Sequence, residues 1–97
     1  MNLMQIQARD AVGNDLWSRD QIMFKLVEEV GELAKAFRHG DRDEAIGEIG
    51  DVQFALCCLC EREDMDLQAA FNRAVEKHKA APIREYHESR DRPEGDS

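Results

Sequence analysis

From Ser18 to Arg62 the chain carries two helical stretches separated by one break, Gly40-Asp41, and this constrains the fold more than any other feature. The first stretch opens on a capping box: the Ser18 hydroxyl can accept from the third helical amide, and Gln21 can accept from the Ser18 amide in return. Trp17 and Ile22 stand where a hydrophobic staple fixes the entry of the chain. Gly40 is the expected stop, because glycine takes the left-handed conformation that closes a helix without steric cost. Asp41, with Glu44 three residues on, repeats the start signal in acidic form. So short a connection makes the two helices antiparallel neighbours.

Two further helices frame this hairpin. One is expected from Leu3 to Ala11 or Val12, where Gly13, Asn14 and Asp15 break it. The other is capped by Asp66, carries a stripe of Leu67, Ala70, Phe71, Ala74, Val75 and His78, and ends before Pro82. In that stripe His78 reads as a hydrogen-bonded core histidine rather than a ligand. The expected fold is all-α and four-helix bundle-like over residues 1–81, with residues 82–97 a polar, disordered tail. The run VQFALCCLC is apolar on nearly every side of its helix, which calls for a bundle centre or a subunit interface. Its Cys57, Cys58 and Cys60 lack the spacing of a zinc site and read as small buried hydrophobes.

Acidic residues fall on these helices in a pattern. Glu29 with Glu32, and Glu48 with Asp51, are each spaced i, i+3, so each pair emerges on one helix face. With Leu26 as zero and roughly 100° per residue, the apolar residues Ile22, Met23, Leu26, Val30, Leu33, Ala34 and Phe37 fall between roughly −40° and +80°. Glu29 then lies near roughly −60° and Glu32 near roughly −120°, on one flank of that stripe, while Glu28 points to water. With Ile49 as zero, Glu48 and Asp51 likewise share a flank of the third helix, near roughly −100° and −160°. Glu32 and Glu48 each lie eight positions from Gly40, and Glu29 and Asp51 each lie eleven, so the pairs meet at the same height in an antiparallel hairpin. None of Glu29, Glu48 and Asp51 has a basic residue four positions on. Acids crowded beside a core repel one another unless a cation sits between them, and four oxygen ligands suit a hard ion such as Mg²⁺ or Mn²⁺.

A net charge of −8 argues against a nucleic-acid polymer as partner, because phosphate backbones are met by basic stripes. No apolar run reaches the ~20 residues that span a bilayer, and the N-terminal MNLMQIQARDAVGND lacks the basic start and apolar stretch of a secretion signal. A cytosolic chain is expected. Ninety-seven residues make a small core, which favours homo-oligomers.

The constellation Glu28-Glu29-x-x-Glu32 followed by Glu48-x-x-Asp51, in the contexts KLVEEVGELAKAF and EIGDVQFALCCL, resembles the metal motif of the MazG-like all-α nucleoside triphosphate pyrophosphohydrolases. The resemblance runs from about Leu3 to Ala81. It implies a helical bundle that dimerises or tetramerises through its helices, and Mg²⁺-dependent conversion of a nucleoside triphosphate to the monophosphate and pyrophosphate. It further implies Glu29, Glu32, Glu48 and Asp51 as metal ligands, one of them also orienting or deprotonating the attacking water. Lys77, with Lys79 nearby, stands where relatives place a phosphate contact on the fourth helix, and Asn72 is a lesser candidate; Lys25, one turn before Glu29 on the same flank, reads first as its i, i+4 ion-pair partner and only second as a phosphate contact. Lys77 and Asn72 sit on opposite flanks, so both serve one site only across a subunit boundary. The arginine that many relatives carry one turn later is replaced here by Ala81, with Arg84 the nearest substitute. Trp17 could stack on a nucleobase, although its staple position favours packing.

Three other readings compete. A di-iron carboxylate bundle normally needs Glu-x-x-His pairs, and here Glu32 and Asp51 occupy the histidine positions. A helical interaction module with merely solvated acids would show neither turnover nor stabilisation by divalent ions. Phosphoribosyl-ATP pyrophosphohydrolases share the fold and the metal logic, so reaction type is better determined than substrate.

Overall fold

The structure, a computed structural model, describes residues 2–13 and 17–80. Within them lie four helices, α1 (Leu3–Val12), α2 (Arg19–His39), α3 (Arg42–Arg62) and α4 (Leu67–Ala80), and no strand. The all-α class expected from the periodicity is therefore observed. Asn14, Asp15, Pro82, Arg84 and the tail over 82–97 lie outside the described residues. The chain divides into two compact units at Leu67/Gln68.

In the first unit, α2 and α1 both pack on α3. The helix ends are fixed by local chemistry. Ser18 and Gln21 form the reciprocal capping box, at 3.3 Å and 2.9 Å. Gly40, at φ 74°, closes α2 in the left-handed conformation, and the Asp41 amide donates back to the Ala36 carbonyl at 3.1 Å. One residue on, Asp41 caps α3 by accepting from the Glu44 amide at 3.0 Å. α2 thus ends and α3 begins within two residues, and the hairpin is set.

Burial divides the α2 stripe. Ile22 and Ala36 are fully buried and Leu26 and Leu33 partly so, whereas Met23, Val30, Ala34 and Phe37 remain exposed. The side of α2 that meets α3 is rotated toward Glu29, because Glu29 itself takes part in the contact face. On α3 the cysteine-rich run is covered within the single chain: Ala55, Cys57, Cys58 and Cys60 are all buried. The bundle centre accounts for these buried residues, while Phe54 of the same run is 44% exposed. The three cysteines are free thiols, and burial pushes their pKa values up, as inert core cysteines require.

A polar contact joins α1 to the end of α3. Gln5, 1% exposed, donates from Nε2 to the Met65 carbonyl at 2.7 Å and to Glu61 at 3.1 Å, and its Oε1 accepts from the Leu67 amide at 2.9 Å. Buried polar groups stripped of a partner cost about 1–3 kcal/mol each. Gln5→Ala is accordingly expected to lower stability by about 2–3 kcal/mol, read as a lower urea midpoint with an unchanged slope; a change below about 0.5 kcal/mol would show that solvent replaces the glutamine.

α4 belongs to the second unit. Within that unit Phe71 is 60% exposed and His78 is exposed, so α4 by itself does not bury the histidine.

Candidate metal centre

Glu29, Glu48 and Asp51 each bring a carboxylate oxygen within 4.8 Å of the other two. The hairpin places them. Glu29 projects from α2 toward α3 and is almost completely buried, Glu48 is partly buried on the facing helix, and Asp51 follows one turn later on the exposed edge. The closest approach runs diagonally, Glu29 to Glu48, rather than between residues equidistant from Gly40. Glu32, one turn farther round α2, is exposed and stands outside this tight group, yet its charge still acts on Glu48.

Glu29 and Glu48 shift one another's affinity for protons. Glu48 is pushed up to about 7, first by its hydrogen bond to Glu29, then by burial and by the negative charges of Glu29, Asp51 and Glu32. Glu29 moves the other way, lowered first by the bond that Glu48 donates and further by Lys25, against the effect of its burial. One proton therefore holds the pair together near neutral pH in the absence of a cation. Glu48 Oε1 is buried and has no hydrogen-bond partner among the described residues. An orphaned buried carboxylate oxygen in a cluster of acids is the feature that a divalent cation satisfies. The residues present fit such an ion.

Lys25 modifies the expectation of acids without basic neighbours. It lies one turn before Glu29 and pairs with it at 3.2 Å, and with Glu28 at 3.5 Å. Its pKa is raised, chiefly by the hydrogen bond to Glu29 and the charge of Glu28. This is the i, i+4 ion pair that the spacing of Lys25 and Glu29 allows, with the cation preceding the acid. Glu28 itself points outward, as the helical wheel requires.

Beside the cluster lies a cavity of about 300 Å³, walled by Val12, Trp17, Ile22, Phe54, Ala55 and Cys58, with Lys25, Glu29 and Asp51 at its charged end. Trp17 is 48% exposed and forms part of this wall together with Ile22, so the staple position and a ligand-facing position coincide. Phe54, Ala55 and Cys58 were legible only as members of an apolar run; nothing local marked them as cavity wall. Lys77 and Asn72 are exposed on α4, where Asn72 accepts a hydrogen bond from Gln68 at 3.0 Å.

The helical hairpin gathers carboxylates from both arms beside a largely apolar cavity, an all-α carboxylate cluster whose chemistry suits a divalent cation. The family model for the MazG nucleotide pyrophosphohydrolase domain matches residues 18–81, and the chain belongs to that family. Its activity is accordingly that of a nucleotide pyrophosphohydrolase domain. Searches among curated proteins and among solved structures returned no match. Among the described residues no helix is long and apolar enough to cross a membrane.

Proposed function

We propose that the chain hydrolyses a nucleoside or deoxynucleoside triphosphate to the monophosphate and pyrophosphate, with water attacking the α-phosphorus and Mg²⁺, or Mn²⁺ in its place, as cofactor. The observation that carries this reading is the Glu29, Glu48 and Asp51 cluster with its orphaned oxygen, set at the charged end of a cavity large enough for a nucleobase. Glu29, Glu48 and Asp51 would hold the cation, with Glu32 completing the set. When bound, it supplies charge neutralisation at the phosphate oxygens and a lowered pKa for attacking water.

The side chains do the rest. Glu48 would have to be in its carboxylate form to serve as a ligand, giving up the proton it shares with Glu29. One of these carboxylates would also orient the attacking water and accept its proton, and Glu32, exposed one turn farther round α2, is our candidate. Lys25 would turn from its ion pair with Glu29 to the phosphates, and the family resemblance assigns phosphate contacts to Lys77 and Asn72, which both serve one site only across a subunit boundary. Trp17 provides an aromatic wall for the base. The protein works in the cytosol as a homo-oligomer on a small-molecule nucleotide, without a nucleic-acid polymer or a membrane as partner.

The test is a panel of canonical and modified triphosphates incubated with the purified chain. Expected products are monophosphate and pyrophosphate, formed with Mg²⁺ or Mn²⁺ and abolished by a chelator. Release of orthophosphate and diphosphate would refute the reading.

A further inference from the structure

Lys25 stands between two spaces on the first unit. On its inner side it borders the cavity at the end where Glu29 and Asp51 lie, and on its outer side an open groove shared with Trp17, Gln21, Phe24 and Glu28. Its ammonium has one acid in each direction: Glu29 at 3.2 Å, four residues on, and Glu28 at 3.5 Å, three residues on. The two acids are unequal partners. The Glu29 side chain is 12% exposed and the Glu28 side chain 64%, so water screens the inner pair poorly and the outer pair well. The Lys25 side chain is itself 40% exposed, which leaves it room to turn. Lysine is suited to changing partners, because its charge is a compact group on a flexible stem.

Glu29 therefore has two claimants, since the carboxylate that holds the Lys25 ammonium also belongs to the group of three acids that fits a divalent cation. A cation there cancels most of the negative charge that keeps the ammonium in place. We infer that Lys25 is an exchangeable counter-ion: it neutralises Glu29 while the cluster holds no cation, competes with a divalent cation for that carboxylate, and once displaced presents its charge to the polyphosphate at the cavity end. The inference rests on the proposed function and adds how cation and nucleotide are coupled. While Lys25 is engaged by Glu29, its charge is withheld from the phosphates. After displacement, only the solvated Glu28 competes with them for it. A nucleotide that draws Lys25 away removes the cation's competitor, and a cation that takes Glu29 frees Lys25 for the nucleotide. By linkage, each tightens the binding of the other by the same factor.

Calorimetric titration of the nucleotide-free full chain with Mn²⁺ tests the competition, and KM for a triphosphate that the wild type hydrolyses tests the transfer to phosphate. The titration needs no turnover, so the counter-ion is tested apart from the reaction. Lys25→Met keeps the stem and removes the charge; it is expected to bind Mn²⁺ about fivefold more tightly than wild type and to raise KM about tenfold. Lys25→Arg, which keeps a cation in place, is expected to hold both values within about twofold of wild type. Arg19→Met removes an equal charge at the start of α2, where Arg19 pairs with Glu63 at 3.6 Å, and is expected to leave Mn²⁺ affinity within about twofold. A wild type that binds no Mn²⁺ would overturn the metal centre and the counter-ion together. A wild type that binds Mn²⁺ while Lys25→Met binds it no more tightly, or gains of equal size in Lys25→Met and Arg19→Met, would overturn the counter-ion alone. Tighter Mn²⁺ binding by Lys25→Met with an unchanged KM would overturn the transfer of Lys25 to the phosphates.

Discussion

Glu29→Gln is expected to cost at least about 100-fold in kcat/KM, whereas Glu28→Gln, one residue away, is expected to cost less than about threefold. The two side chains differ by one helical step, which is enough to reverse their environments. Glu29 is buried among Glu48, Asp51 and Lys25, and Glu28 lies in solvent with only Lys25 near it. Neutralising Glu29 removes a ligand oxygen's charge and the acceptor of the Glu48 proton, so both cation affinity and the electrostatics of the loaded site suffer. The same contrast extends to stability: excess Mg²⁺ should raise the melting temperature of wild type and Glu28→Gln by mass action, and that of Glu29→Gln far less. Simple repulsion among unpaired acids would make metal-free Glu29→Gln melt no lower than wild type. The Lys25 pair and the shared proton remove much of that gain. Equal losses of activity in the two variants would mean that the active flank of α2 has been placed on the wrong side.

A second large effect is expected in the pH dependence of the metal-free protein. Glu48 holds its proton up to about 7 when folded, against 4.5 as its ordinary value, so the folded state binds a proton that the unfolded chain has already released. The stabilisation this brings is full below the ordinary value and is lost as pH rises through about 7. Glu29, shifted downward, acts in the opposite sense: its stabilisation is present above its ordinary value and is lost only as pH falls below it. The interval between mildly acidic and neutral pH is therefore governed by Glu48. Melting temperature without metal is expected to fall across that interval, and Glu48→Gln, which keeps a donor toward Glu29 without titrating, should flatten the fall. Stabilisation by Mg²⁺ should grow over the same range, because loading the site requires the Glu48 carboxylate; below about 7 its affinity should rise about tenfold per pH unit. A metal-free melting temperature that is unchanged or climbs across the interval would contradict the shared proton.

The parts of the molecule legible from sequence are those fixed by neighbours in the chain. Ser18 and Gln21, Gly40 and Asp41 act over a few residues, and the ends of α2 and α3 follow from them. The i, i+3 acids were legible for the same reason. The diagonal pairing of Glu29 with Glu48 was not, because it depends on the angle at which two helices face one another, and that angle is set by which side chains bury. α2 buries toward Ala36 and Glu29 and leaves Val30 and Phe37 in solvent, a choice that hydrophobicity alone would reverse. Gln5 is a further case: an amide in a weakly patterned helix gives no local sign that it will be sealed against Glu61, Met65 and Leu67. The cavity wall of Phe54, Ala55 and Cys58 likewise exists only once α1 and α2 have packed on α3.

The most direct measurement of the central claim is the point of attack, read by mass spectrometry after a single round of hydrolysis in water enriched with heavy oxygen. The carboxylate centre, acting on the α-phosphorus, predicts that the label enters the nucleoside monophosphate and leaves the pyrophosphate unlabelled. Label in the pyrophosphate would place attack at the β-phosphorus and contradict the account.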